Sequence, residues 1–204
     1  MDSEDTLPSS LRAGAAALTE GEAVVYPTET VYGLGVDASN AAAVETVFTI
    51  KNRPHDKPLS IGVPDLSTAE QWARLTDRDR AFIDRFLPGP ATVVVERNPD
   101  LPDALTDGGD RIGIRIPDHP IALELLELVK PLPVTATSAN KSGKPSIRKP
   151  TALPQSIREQ VAVVIDGGET PGGASTVVDV SQGVIHRRGA DADAIEAWLA
   201  ESSL

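Results

Sequence analysis

The 204-residue chain contains no cysteine, which excludes disulfide bonds, thiolate catalysis and zinc or iron–sulfur sites built on cysteine ligands. It also has no stretch of about 18 apolar residues that could cross a membrane as a helix. The first ten residues, MDSEDTLPSS, are acidic and lack the apolar segment of a signal peptide. We therefore expect a soluble, cytoplasmic protein without a membrane partner.

Familiar catalytic motifs are missing too. The chain has only His55, His119 and His186 as imidazole bases, without the HxxxH or HExxH spacing of a metal site and without a GxSxG nucleophile elbow. His119 precedes Pro120 at a predicted helix start, which favours a structural or capping role. No Walker A or GxGxxG loop occurs, so any phosphate must be held by side-chain cations and backbone turns.

Lysine is scarce, with 6 of the 19 basic residues, and the formal net charge is −11. This balance disfavours a protein that coats nucleic acid through its phosphates. The same acidic, lysine-poor composition occurs both in ordinary cytosolic proteins and in proteins adapted to high salt.

The alternation of apolar and helix-like segments predicts one α/β domain over residues 1–204, with its core at about 10–200 and a flexible tail at 1–9. The predicted strands are Ala23–Tyr26, Leu59–Val63, Ala91–Glu96, Ile112–Ile116, Val134–Thr137, Val161–Ile165, Thr176–Val180 and Val184–Arg187. The predicted helices are Ala41–Lys51, Thr68–Leu75, Asp79–Phe86, Pro120–Val129 and Ala192–Glu201. Asp118 and Asp191 are predicted N-caps.

The basic residues are clustered. The segments KNRPHDK, RIGIR, KSGKPSIRK and HRR hold 11 of the 19, and each lies in a loop or at the end of a predicted element. Ligands of open α/β sheets usually bind at such ends, so we expect the four segments to converge on a cationic cleft for a polyphosphate. Arg111 and Arg115 lie on one face of a strand, because alternate strand residues share a face.

Hydroxyl and amide side chains accompany these cations and are suited to a small polar substrate. They are Thr28, Thr30, Tyr32, Ser138, Asn140, Ser142, Ser146 and Ser175. Cations and hydroxyls without a nucleophile suit a reaction at phosphorus in which catalysis consists of positioning and charge neutralisation.

Seven segments together resemble, in order, the blocks of the YrdC-like threonylcarbamoyl-AMP synthases, from about residue 10 to residue 200. These are YPTETVYGLG, KNRPHDKPL, LPGPATVVV, RIGIRIPDHP, TSANKSGKPS, STVVDV and HRRGA. The resemblance implies a twisted open mixed sheet with flanking helices and a large concave cleft.

The resemblance also implies a reaction. L-threonine, bicarbonate and ATP, the last with Mg²⁺, would give threonylcarbamoyl-AMP and pyrophosphate. A downstream threonylcarbamoyl transferase complex would then modify tRNA. Whether this chain itself contacts tRNA stays open.

Site residues follow from the resemblance by position. The Lys-x-Arg and Ser-x-Asn pairs match Lys51, Arg53, Ser138 and Asn140, which would act around the nucleotide and the carbamate. ATP would be contacted by Arg53, Lys57, Arg111, Ser138, Ser146 and Arg187. Threonine would be held by Thr30, by Arg115 on its carboxylate, by the Ala136 backbone and by Ser175, with Tyr32 shaping the pocket.

The first of these segments, YPTETVYGLG, then has an expected role. Pro27 would end a strand, the glycines would let the backbone approach a ligand closely, and Thr30 and Tyr32 would face the amino acid. Gly62 departs from the family, since some members carry a threonine-contacting histidine there. Longer members also add a C-terminal domain whose linker closes over ATP, and we expect the short form without that domain here.

Two other functions stay open at the level of sequence. One is a binding module for double-stranded RNA or ribosomal particles without catalysis, against which the net charge argues. The other is carbamoyl transfer of the hydrogenase-maturation type, which shares the fold but normally lies in a longer chain with acylphosphatase and zinc-finger segments.

Overall fold

The computed structural model describes residues 8–201. Within that range the helices are α1 Ser9–Thr19, α2 Ala41–Lys51, α3 Leu66–Trp72, α4 Asp77–Phe86, α5 Pro120–Val129, α6 Gln155–Arg158 and α7 Ala192–Glu201. The strands are β1 Val24–Pro27, β2 Tyr32–Gly35, β3 Ser60–Gly62, β4 Ala73–Arg74, β5 Ala91–Arg97, β6 Arg111–Arg115, β7 Val134–Ser138, β8 Val163–Val164, β9 Thr176–Asp179 and β10 Val184–Arg187. None of the helices in the described range is long and apolar enough to span a membrane.

The strands form one open mixed sheet in the order β10-β9-β5-β6-β3-β7-β2-β1-β8, and β4 pairs with β5. The pairs β1/β8, β3/β6 and β5/β9 are parallel, and the remaining neighbours are antiparallel. The predicted α/β class is therefore confirmed.

One face of the sheet carries the larger part of the apolar core. Ile61, Val93 and Ile114 point to this face and pack in one cluster with Phe48 of α2 and Phe82 of α4. The neighbouring residues along the same strands point to the opposite face, because strand side chains alternate.

The opposite face is covered only in part. A second apolar cluster joins Leu18 of α1 and Leu125 of α5 to Val24, Tyr26 and Val134 near the β8 edge of the sheet. Beyond this cluster the same face carries small and polar residues, and it borders the cavity described below.

The periodicity predicted α2, α5, α7 and β10 with their observed bounds. The other predicted strands and helices form with shifted ends, whereas α1, β2, β4 and α6 were not predicted. The predicted tail lies mainly in residues 1–7, outside the described residues, and Ser9 already belongs to α1.

The strand β2 comes from the glycine-containing end of YPTETVYGLG, where we expected the backbone to approach a ligand. Pro27 is the last residue of β1, as predicted, and it lies opposite Tyr32 in the β1/β2 hairpin. Thr28 organises the turn, because its hydroxyl donates to the Val31 carbonyl at 2.6 Å and accepts from the Thr30 and Val31 amides. The sequence therefore encodes a tight hairpin stabilised by a Thr side chain.

The prediction that Asp118 caps α5 is wrong. His119 occupies the N-cap position, without a side-chain capping bond, and Pro120 is the first helical residue. The first amide groups of a helix have no partner within the helix. Because proline has no amide hydrogen, one of these unpaired donors is absent from α5. Asp191 directly precedes α7 with a left-handed φ of 58°.

Candidate active site

A cavity of about 530 Å³ lies on the partly covered face of the sheet. Nine of the thirteen predicted site residues line it: Thr30, Arg53, Arg111, Arg115, Ala136, Ser138, Ser146, Ser175 and Arg187. Lys51, Lys57, Asn140 and Tyr32 do not. Sequence reasoning missed the lining residues Tyr26, Ser60 and Thr92, whose only signal is their alternation with core residues on the same strands.

The floor of the cavity is open because its strands carry small side chains there. Gly113 is the clearest case, since a Cβ atom built on it would lie 2.9 Å from Thr92 Cγ2 and 3.0 Å from Ser60 Cβ. Gly62 is different, because its nearest neighbours would be the Ala136 Cβ and the Val134 carbonyl, both at 3.7 Å. No steric demand explains glycine at position 62, and its missing side chain adds volume to the cavity.

Tyr26 forms part of the wall beside the α1/α5 cluster. Its ring lies over Gly33 of the neighbouring strand, where a Cβ atom would approach the ring to 3.0 Å. Burial raises the pKa of the Tyr26 hydroxyl to about 12, and the positive charge of Arg115 opposes this rise. The glycines of YPTETVYGLG thus accommodate this aromatic ring.

Tyr32 does not face the cavity, contrary to the expectation that it shapes the threonine pocket. It is 0% exposed, and its hydroxyl donates to the Gly168 carbonyl at 2.7 Å and accepts from the Gly167 amide at 3.1 Å. Burial raises the pKa of this hydroxyl. Tyr32 therefore holds the chain that follows β8.

That chain, residues 166–175, is here named the crossing segment. It runs from β8 at one edge of the sheet to β9 near the other, and Gly173, Ala174 and Ser175 line the cavity. The Gly172 amide donates to the Thr30 carbonyl at 2.7 Å, with a Gly172 φ of 89° that favours glycine. The crossing segment thereby connects the Thr30 turn to Ser175.

The four arginines of the cavity fall into two classes. Arg111 and Arg115 each pair with a carboxylate, of Asp179 at 2.5 Å and of Glu29 at 2.6 Å. Arg53 and Arg187 have no ion-pair partner among residues 8–201. The two classes therefore present different net charge to a ligand.

Arg53 and Arg187 are held by neutral oxygen atoms. Arg53 donates to the carbonyls of Lys57 and Pro58 at 2.9 and 2.8 Å, and Arg187 donates to the Ser175 carbonyl and hydroxyl at 3.0 and 2.8 Å. Burial and the positive charge of Arg187 lower the pKa of Arg53. Burial and the positive charge of Arg115 lower the pKa of Arg187. Like charges that act on each other in this way favour an anion between them.

Ser175 links the two halves of the cavity. Its hydroxyl lies 3.1 Å from the Thr92 hydroxyl and accepts from Arg187. Ser175, which was predicted to bind threonine, therefore contacts Arg187, which was predicted to bind ATP.

The predicted convergence of the basic segments is correct for three of the four. KSGKPSIRK contributes Ser146 to the cavity but none of its cations. Lys141 donates to the Ile50 carbonyl, and Arg148 and Lys149 both pair with Glu169. Lys57 is exposed, and only its carbonyl reaches the site, through Arg53.

Lys51 is 1% exposed, and its ammonium donates to the carbonyls of Ser138 and, at 2.7 Å, of Asn140. In return, the Ser142 amide donates to the Lys51 carbonyl at 2.8 Å. The Asn140 side chain donates to the carbonyls of Lys141 and Lys144. Lys51 and Asn140 therefore shape the loop that carries Ser138, and their direct contact with a ligand stays a prediction.

Burial, with a smaller contribution from Arg53, lowers the Lys51 pKa from 10.5 to about 8. Between pH 8 and 10 the unfolded chain thus binds more protons at this lysine than the folded chain, so its contribution to the unfolding free energy rises with pH. We expect the difference in unfolding free energy, wild type minus Lys51→Met, to grow by about 2 kcal/mol over this interval. Denaturant titrations at pH 8, 9 and 10 measure it, and a constant difference would contradict the assignment.

Comparison with known proteins identifies the family of this chain. The family described as Sua5/YciO/YrdC, "Telomere recombination", matches residues 16–189. The chain belongs to this family. It is 39% identical to the threonylcarbamoyl-AMP synthase of Pyrococcus abyssi over 84% of this chain and 51% of that protein.

Solved structures of the Sua5/YciO/YrdC family share the fold. P. abyssi Sua5 complexed with L-threonine is 39% identical, with a TM-score of 0.84 over 88% of this chain and 54% of that one. Escherichia coli YciO is 25% identical, with a TM-score of 0.80 over 90% of this chain and 91% of that one. The chain thus spans about half the length of the P. abyssi protein.

Proposed function

We propose that this chain is an L-threonylcarbamoyladenylate synthase, which forms threonylcarbamoyl-AMP and pyrophosphate from L-threonine, bicarbonate and ATP. The observation that carries the proposal is that one cavity holds two kinds of arginine, Arg115 paired with Glu29 and Arg53 and Arg187 held by neutral oxygen atoms. Arg115 with Thr30 forms the amino-acid end, and Arg53 with Arg187 forms the triphosphate end. The relatives named threonylcarbamoyl-AMP synthases and the threonine-bound Sua5 support the same assignment.

The residues suit each end. Arg115 would bind the threonine carboxylate, while the Thr30 and Ser175 hydroxyls and the Ala136 backbone would surround the rest of the amino acid. Ser138 and Ser146 would contact the nucleotide, and Arg53 and Arg187 its phosphates. Arg111, which we expected at ATP, has its charge balanced by Asp179, so its direct share in phosphate binding is smaller.

The chemistry requires positioning rather than a protein nucleophile. The threonine amine and bicarbonate form a carbamate with loss of water, and a carbamate oxygen attacks the α-phosphorus in line while pyrophosphate leaves. Arg53 and Arg187 would stabilise the negative charge that develops on the phosphates. No Asp or Glu of the described chain lines the cavity, so Mg²⁺ would enter with ATP as part of the substrate.

The product would pass to a cytoplasmic threonylcarbamoyl transferase complex acting on tRNA. Carbamoyl transfer of the hydrogenase-maturation type has weaker support, because the matching HypF structure is 21% identical and shares only the fold with this chain. No contact among the described residues favours the RNA-binding alternative.

The test is ATP–pyrophosphate exchange with L-threonine, bicarbonate, both or neither, with carbamoyl phosphate as an alternative substrate. We expect exchange only when threonine and bicarbonate are both present. Exchange that depends on neither, or that requires carbamoyl phosphate, would refute the proposed function.

A further inference from the structure

Glu29 lies behind the arginine assigned to the substrate carboxylate. The two side chains are 12% and 13% exposed, and Glu29 Oε1 accepts from Arg115 Nη2 at 2.6 Å. Arg115 and Thr30 line the cavity, whereas Glu29 does not. Any effect of Glu29 on a ligand therefore acts through Arg115 or through its charge.

The contact fixes the orientation of the guanidinium. Nη2 carries two hydrogens, and both are used, one by Glu29 Oε1 and the other by the Thr30 hydroxyl at 2.8 Å. Arg115 Nε and Nη1 both lack a hydrogen-bond partner among residues 8–201, but Nε is buried, so Nη1 is the donor left for a ligand. A guanidinium held on one side presents the other side in a defined direction.

The contact also sets the charge of this end of the cavity. Arg115 and Glu29 together carry no net charge, and Glu29 Oε2 is buried without a hydrogen-bond partner among the described residues. The negative charge of Glu29 is therefore not neutralised by a second hydrogen-bond donor among the described residues. At the other end, Arg53 and Arg187 have no carboxylate at ion-pair distance within the described chain.

A neutral ion pair and a bare cation favour different ligands. A simple carboxylate or a phosphate gains most at a bare cation. A zwitterion gains at an Arg–Glu pair, because its carboxylate meets the cation and its ammonium is attracted by the nearby anion. Buried charges distinguish these ligands strongly because water screens them little.

We propose that Glu29 is a positioning and specificity-determining residue, which pairs with Arg115 so that the amino-acid end of the cavity selects a zwitterionic α-amino acid over a simple carboxylate or a phosphate. Phosphates are thereby directed to Arg53 and Arg187. The inference rests on the proposed function, whose substrates it assigns to the two ends.

The experiment measures, without ATP, calorimetric binding of L-threonine and of 2,3-dihydroxybutanoate, in which a hydroxyl replaces the α-ammonium. Wild type is expected to prefer threonine by about tenfold or more, which corresponds to about 1.4 kcal/mol. Glu29→Gln keeps the size and a hydrogen-bond acceptor but removes the charge, and we expect its preference to fall to about threefold or less. Glu29→Asp keeps the charge and should retain most of the preference.

Asp65→Asn is the matched control, because it removes one charge from the Asp65–Lys130 pair, neither member of which lines the cavity. It should keep the wild-type preference. Partial unfolding of Glu29→Gln would lower the binding stoichiometry of both ligands and is recognised by that, while the ratio of their dissociation constants still reports on the folded molecules. The same preference in Glu29→Gln as in wild type would overturn the inference.

Equal wild-type affinity for the two ligands would overturn it as well, and this measurement needs no variant. The proposed function fails separately. If exchange of ATP with pyrophosphate is absent while the binding preference is present, only the synthase assignment is wrong. If exchange is present while Glu29→Gln keeps the wild-type preference, only the Glu29 inference is wrong.

Discussion

Arg187→Ala is expected to lower kcat/KM for ATP in the pyrophosphate exchange reaction by about 100-fold, equivalent to about 3 kcal/mol of lost charge-assisted hydrogen bonding. Arg187 is one of the two cavity arginines held by neutral oxygens rather than by a carboxylate, so its full charge faces the ligand. The variant also removes the donor that fixes the Ser175 hydroxyl. Steady-state kinetics with ATP varied at saturating threonine and bicarbonate measures the loss.

The neighbouring arginine provides the control. Arg188 does not line the cavity, and it pairs with Asp193 at 2.5 Å and with Glu196 at 3.0 Å on the surface of α7. Exposed ion pairs of this kind contribute about 0 to 1 kcal/mol, so Arg188→Ala should stay within a few-fold of wild type. Equal losses of kcat/KM in Arg187→Ala and Arg188→Ala would contradict a direct contact between Arg187 and ATP.

Gly189→Ala is expected to destabilise the fold by about 3 kcal/mol, because the new Cβ meets backbone that cannot move alone. It would lie 2.6 Å from the Ser175 carbonyl carbon and 2.7 Å from the Ser175 oxygen, and the Ala174 carbonyl oxygen is closer still. For a chain of this length the melting temperature should fall by roughly 6 to 12 °C. Because Ala174 and Ser175 line the cavity, exchange activity should fall as well.

Gly62→Ala is the matched control for stability, since it also adds one methyl group to a glycine that borders the cavity or its lining. Its nearest neighbours lie at ordinary van der Waals distances, from 3.7 Å. In thermal and denaturant unfolding, the unfolding free energy of Gly62→Ala should lie within about 1 kcal/mol of the wild-type value. A melting temperature shared by the two variants would contradict the steric argument for Gly189.

Elements with a clear period were predictable. The apolar residues of α2 and α5 recur at helical spacing, and RIGIR alternates, so the faces of these elements followed from the chain itself. The hairpin strand β2 was missed because Tyr32–Gly35 is short, contains two glycines and follows a polar turn. Its stability comes from pairing with β1 and β7 rather than from local preference.

The site residues also divide into those that the sequence predicted and those that it did not. Arg53, Arg115 and Ser175 were predicted from motif and strand position, and the cavity contains them. Glu29 was not predicted, because a carboxylate in a turn has no local feature that distinguishes a buried counter-ion from a solvated charge. Lys51 was predicted as part of a motif, but its hydrogen bonds to two distant carbonyls depend on how α2 meets the loop after β7.

By itself, the sequence determined the α/β class, the absence of thiol chemistry and the set of cations and hydroxyls available to a ligand, because these depend on composition and on short-range spacing. Only the tertiary structure decided which of four cavity arginines keep an unbalanced charge. That depends on carboxylates far along the chain, such as Asp179 for Arg111 and Glu29 for Arg115, and ion pairing depends on distance in space.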